Sequence, residues 1–185
     1  QTITPVRDAL GEITHFVAIK QDITQRKQME VRLKQLSIHD ALTGLYNRGF
    51  FDEELARLER GRQFPVSIVM ADIDRLKETN DGQGHAAGDD LLKRAAQVLK
   101  AAFRSDDVIA RIGGDEFAVL LPNTDIVTAE TVLRRVQTRL QEQNAKRTGA
   151  PLSISFGISA ADKLKPLREA LKEADANMYS KKRER

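Results

Sequence analysis

Apolar and polar positions alternate along the chain in two registers, one of period two and one of helical period, and the switches between them mark its elements. From Glu12 to Ile23 the run EITHFVAIKQDI alternates like a strand, after a turn candidate at Asp8-Ala9-Leu10-Gly11. The polar segment TQRKQMEVRLKQLSIHD follows. Its Met29, Leu33 and Leu36 are spaced four and three apart, the seam of a short coiled-coil helix. A buried strand, SIVMAD, is expected at 67–72. In AGDDLLKRAAQVLKAAF, Leu91, Leu92, Ala95, Val98, Leu99 and Ala102 share one helical face. The stretch DVIARIGGDEFAVLL (107–121) reads as two strands about a glycine turn. A helix with Ala129, Val132, Leu133, Val136 and Leu140 in register comes next, then the β-branched strand PLSISFGIS. The last element is a helix on which Leu167, Ala170, Leu171, Ala174 and Met178 line up.

That order, β-α-β-β-α-β plus a terminal helix, predicts an α+β fold of ferredoxin-like type, with helices flanking an antiparallel sheet. Residues 1–23 read as the end of another domain, 24–39 as a linking helix and 40–185 as the main domain. The chain is therefore expected to be part of a longer protein.

Composition narrows the class. An apolar fraction of 41% with 31% charged residues describes a globular chain rather than a disordered one. At 185 residues there is room for one domain with a real core and a short appendage. Thirty basic residues against 27 acidic ones leave a net charge of only +3, which does not argue for nucleic acid as a partner. Much of the excess lies in the closing SKKRER. The absence of cysteine rules out disulfides and cysteine-ligated metal, and it suits a reducing, cytoplasmic setting. No apolar run approaches ~18 residues, so no membrane contact is expected of this segment.

The hairpin carries the chemistry. Asp115 and Glu116 stand side by side at its tip, immediately after Gly113 and Gly114. In the expected fold the first strand runs beside the hairpin, which brings Asp72 within a few ångströms of that tip. Carboxylates gathered this closely repel one another, and a divalent cation relieves the repulsion. Hard oxygen donors without cysteine select magnesium or manganese over zinc. Magnesium held by few carboxylates keeps positions for substrate phosphates, which makes phosphoryl or nucleotidyl transfer the natural reaction. Glycines at 113 and 114 would leave room for those phosphates.

Gly113-Gly114-Asp115-Glu116-Phe117 spells the signature of the GGDEF family, the diguanylate cyclases, and the chain resembles that family over most of its length. DALTGLYNR (40–48) resembles the family's opening motif, within which Asn47 and Arg48 would pin the loop. DIDRLKETND…GH…GDD resembles its metal and guanine segment, and EADANMYSKK its closing helix. The N-terminal PVRDALGEITHFVAIKQDITQRK is similar to the last strands and exit helix of a PAS sensor domain.

The resemblance implies a nucleotide-cyclase-like palm that joins two GTP molecules into cyclic di-GMP and releases pyrophosphate. It implies a homodimer whose two sites meet face to face, each with two Mg2+ (or Mn2+) ions. Asp72, the main-chain carbonyl of Ile73, and Asp115 would hold the metals. Glu116 would complete that set or help deprotonate the attacking 3′-hydroxyl, and the sequence leaves both roles open. Asn80 and Asp89 match guanine-reading positions. Lys77 and Lys182 match phosphate-contacting lysines, and His85 a structural one. Leu76 departs from the aromatic residue common before the lysine, which bears on packing near the nucleotide.

Arg104 and Asp107 form an R-x-x-D pair at the spacing of the family's product-inhibition site, where cyclic di-GMP would bind, and Arg135 could add a contact. Two other readings stand beside an active cyclase. One is a catalytically silent receptor for GTP or cyclic di-GMP. The other is a palm acting on a different nucleotide, against which Asp89 argues for adenine.

Overall fold

The computed structural model describes residues 2–19, 22–27, 37–146 and 150–183. The chain divides into two compact units, 1–37 and 38–185.

In the first unit, strands β1 (Thr2–Arg7) and β2 (Ile13–Ile19) form an antiparallel hairpin. The Asp8 carboxylate closes its turn by accepting from the amides of Leu10 and Glu12 at 2.9 and 3.0 Å. This is the expected turn and strand, and Phe16 on β2 stays largely exposed. The seam of Met29, Leu33 and Leu36 lies outside the described residues.

The second unit is built on a five-stranded sheet in the order β3-β5-β6-β4-β7. Its strands are β3 (Tyr46–Asn47), β4 (Val66–Ile73), β5 (Val108–Arg111), β6 (Glu116–Leu121) and β7 (Ile154–Ala161). The last four pair antiparallel in the predicted ferredoxin-like arrangement, and β3 adds a short parallel edge beside β5. Five helices cover the sheet: α1 (Arg48–Arg60), α2 (Leu76–Gln83), α3 (His85–Ala102), α4 (Ile126–Ala145) and α5 (Leu167–Arg183).

Every residue of β4 is buried, because side chains of alternate sign along the strand enter different cores. Val69, Ala71 and Ile73 pack with α3 and α4, whereas Val66, Ile68 and Met70 pack with α1 and α5. The expected apolar faces of α3, α4 and α5 are the ones the fold uses.

Two features go beyond the sequence reading. Helix α1 is capped by Asn47, whose side-chain oxygen accepts from the Phe50 amide at 3.0 Å, and it buries Phe51, Leu55 and Leu58. The segment after β4 is two helices rather than one, broken at Gly84, where φ is 82°.

Helix α5 crosses β7 at Gly157. A β-carbon there would come within 2.0 Å of the Ala174 carbonyl oxygen and 2.2 Å of the Met178 nitrogen, so helix and strand meet backbone to backbone.

Candidate active site

The sheet assembles the site from the ends of its two central strands. Asp72, next to last in β4, pairs directly with Glu116, the first residue of β6, and on its other side with Ser155 of β7. The amide of Ile73 donates to the Asp115 carbonyl at 3.1 Å, which closes the hairpin tip onto the end of β4. Asp72 is buried, 6% exposed, and one of its oxygens accepts from the Lys182 ammonium at 2.5 Å. Lys182 arrives from the last turn of α5, whose course over Gly157 sets its position.

The acids load one another. Burial raises the pKa of Asp72, and the charges of Asp115 and Asp74 raise it further against the hydrogen bond from Lys182. Glu116 is raised by burial first, then by Asp115, Asp72 and Asp175, with Arg48 pulling the other way. Lys182 is raised in turn by its bond to Asp72. Asp74 is held by Ser153, just before β7, and Ser155 within it, which donate to its carboxylate at 2.5 and 2.7 Å.

The two glycines of the turn stand in different surroundings. The space beside Gly113 is filled by the protein itself: a β-carbon there would lie 2.4 Å from a Glu116 carboxylate oxygen. Glycine at 113 therefore lets Glu116 fold back over the turn, while the space at Gly114 is open.

Elsewhere the sequence-derived residues fall into two further groups. The Asn80 side chain lies against the backbone of Gly88, the residue before Asp89, where α2 meets α3. Lys77 is exposed on α2, and His85 is exposed at the start of α3. A cleft of about 580 Å³ opens between α2 and residues 150–153, lined by Asp74, Arg75, Thr79, Gln83, Ser153 and Lys182. Asn80 and Asp89 do not line it.

Arg104, Asp107 and Arg135 come together at the other end of β5. The Arg104 amide donates to the Asp107 carboxylate at 2.7 Å, and the Arg135 guanidinium donates to the Ala102 carbonyl at the end of α3. Burial raises the pKa of Asp107, opposed by its bond to Arg104 and by the charges of Arg104 and Arg135.

Sequence reasoning missed Arg111 and its partner Asp40. Two guanidinium nitrogens of Arg111 donate to the Gly114 carbonyl, at 2.7 and 3.3 Å, and a third reaches both oxygens of Asp40 at 3.3 Å. The only signal was a charge at an alternating position of a short strand, and nothing local names its partner 71 residues away.

The family model for "Diguanylate cyclase, GGDEF domain" matches residues 37–185. The chain belongs to the GGDEF family of diguanylate cyclases. Among its GGDEF relatives, the probable diguanylate cyclase DgcE of Escherichia coli is 34% identical over 190 residues, 98% of this chain and 17% of that protein. The diguanylate cyclase DgcM of the same organism is 31% identical over 173 residues, 90% of this chain and 41% of its own length. The chain thus spans less than half of either relative. A solved structure of the coiled coil and GGDEF domain of DgcB from Caulobacter crescentus, in complex with c-di-GMP, is 25% identical with a TM-score of 0.80. That likeness covers 87% of this chain and 88% of the other.

GGDEF diguanylate cyclases generally use divalent metal ions. The donor set of this GGDEF domain fits such an ion in kind, since its carboxyls raise one another's pKa and an ammonium shields one of them. Among the described residues, no three acidic or histidine side chains already converge as a cage. No helix among them is long and apolar enough to cross a membrane.

Proposed function

We propose that the chain is an active cyclase that condenses two GTP molecules into cyclic di-GMP. Each 3′-hydroxyl attacks the α-phosphorus of the other nucleotide, the bond from that phosphorus to the bridging oxygen breaks, and two pyrophosphates leave. The observation that carries this reading is the pairing of Asp72 with Glu116 at the mouth of an intact glycine hairpin, with the Asp115 carbonyl bonded to the amide of Ile73 beside them.

Asp72, the Ile73 carbonyl, Asp115 and Glu116 would hold two Mg2+ or Mn2+ ions. Such ions, when bound, lower the pKa of an attacking hydroxyl and neutralise phosphate charge. Lys182 stands at the edge of the cleft beside Asp72, where its ammonium can turn to a phosphate. Glu116 has the raised pKa that suits a proton acceptor as well as a metal ligand. Asn80 and Asp89 would read guanine, since a carboxylate can accept from both N1–H and the exocyclic amine. Adenine would present an acceptor to it instead. Lys77 would reach a phosphate from α2.

One GTP per subunit makes the working unit a homodimer with facing sites. Cyclic di-GMP bound at Arg104, Asp107 and Arg135 would inhibit it. The hairpin of β1 and β2 would be the last part of a PAS-like domain that feeds a signal to the catalytic domain.

Incubation of the purified protein with GTP and Mg2+ should yield cyclic di-GMP and pyrophosphate. Tight GTP binding without any product would instead support the silent receptor.

A further inference from the structure

A cleft of about 450 Å³ separates the 39–46 loop from the turn between α3 and β5. Leu45, Phe103 and Ile109 are buried beneath it, while Lys100 and Arg104 stand exposed at its edge. His39 and Tyr46 line the loop side and stack on each other with ring centroids 4.8 Å apart. Apolar and aromatic walls with a cationic rim suit a ligand with flat bases and negative charge.

Lys100 is tied to the loop. Its ammonium donates to the Gly44 carbonyl at 2.9 Å. Gly44 in turn donates its amide to the Asp40 carbonyl, and Thr43 donates amide and hydroxyl to the Asp40 carboxylate at 2.8 and 2.6 Å. That carboxylate receives Arg111, which grips the Gly114 carbonyl next to Asp115. An unbroken series of hydrogen bonds thus runs from the cleft to the catalytic hairpin within one subunit.

We propose that Lys100 is a phosphate contact for a cyclic dinucleotide held at Arg104 and Asp107, and that its transfer from Gly44 to phosphate loosens the loop that braces the hairpin. The inference rests on the product-site reading above and extends it with a residue and a route. The chemistry favours the exchange. A cyclic dinucleotide carries two phosphates beside its bases, Lys100 lines the same cleft as the arginine that would hold a base, and a charged acceptor draws an ammonium more strongly than a neutral carbonyl. The side chain is exposed, so the move requires no repacking.

Calorimetric titration of the full chain with cyclic di-GMP tests the contact, using Lys100→Met, Lys100→Arg and Arg104→Ala. Loss of a hydrogen bond to a charged group should weaken binding about 10-fold or more in Lys100→Met, while Lys100→Arg stays near the parent. Parental affinity in Lys100→Met with weak binding in Arg104→Ala would overturn the role of Lys100 and leave the product site standing. Parental affinity in both variants would overturn the two together. Weak binding in Lys100→Met alone would overturn the placement of the ligand at Arg104.

Hydrogen exchange tests the route. The amides of Ile112 and Gly113, which donate to the Glu116 carbonyl at 2.9 and 3.3 Å, should exchange faster in the parent once cyclic di-GMP saturates it. Lys100→Met should show the faster exchange without ligand. Exchange unchanged by saturation in the parent would refute the relay.

Discussion

The Gly114 carbonyl is steadied by a side chain, and the pH response of that attachment is open to measurement. Asp40 is partly buried, which raises its pKa, but hydrogen bonds from Thr43 and the charge of Arg111 outweigh burial and leave it lowered overall. A carboxyl lowered in the folded state contributes stability above its unfolded pKa and loses it as pH falls through the folded value. Asp40→Asn should therefore destabilise the protein at pH 7, by about 1–3 kcal/mol for a charge-assisted bond. The deficit should shrink as pH drops below the ordinary carboxylate range. Denaturant melts of parent and variant across that range would show it, and a deficit independent of pH would deny the ion pair its part. Asp72 and Glu116 behave in the opposite way. Both are raised, so the fold bears their charges at a cost and does not need them. Asp72→Ala or Asp115→Ala should abolish cyclic di-GMP synthesis while the melting temperature holds or rises, and activity retained in either would remove it from the metal site. Asp89→Ala should lose GTP discrimination by a large factor, up to ~10⁴-fold where a polar pocket is left unpaired. Competition assays with ATP would measure that loss.

At the scale of elements, the crossing of α5 over β7 is the least forgiving contact in the sheet. Gly157→Ala places a methyl group against helix backbone, which cannot turn aside as a side chain can. The helix must lift, and overpacking of this kind costs about 1–3 kcal/mol or more. Because Lys182 rides on the same helix, synthesis should fall along with stability. Unchanged melting and unchanged rate together would mean that the helix does not sit where the contact places it. The strands and the helices α3, α4 and α5 were legible in the sequence because each buries a single periodic face. Helix α1 was legible in principle, since Phe51, Leu55 and Leu58 recur at helical spacing behind an asparagine cap. The break at Gly84 was not, because it is a backbone conformation that one glycine permits without announcing it. At the site, the acids could be read from the hairpin and the strand end. The ammonium on Asp72 and the reach of Arg111 to Asp40 join residues distant in sequence, and the folding of Glu116 back over Gly113 depends on a side-chain conformation, so no local pattern records them.

For the whole molecule, a reaction that needs two GTP-loaded subunits should accelerate more steeply than linearly with protein concentration. Rates measured alongside light scattering would test this, and strict proportionality in a monomeric sample would refute the two-subunit scheme. The topology also governs how the protein comes into being. Central strand β4 is buried along its whole length, yet both strands that flank it, β6 and β7, lie later in the chain. A ribosome emits VSIVMADI about 50 residues before its first neighbour can arrive and nearly 90 before its second, by the spacing of the strands. Over that interval the segment is an unpaired β-forming run with no proline and a single charge, the composition that invites intermolecular pairing. Nascent chains stalled before Ile154 should therefore be caught by chaperones or digested by protease, and release past Ala161 should end that exposure. The residues that make the central strand fit between two partners are the ones that make its synthesis hazardous.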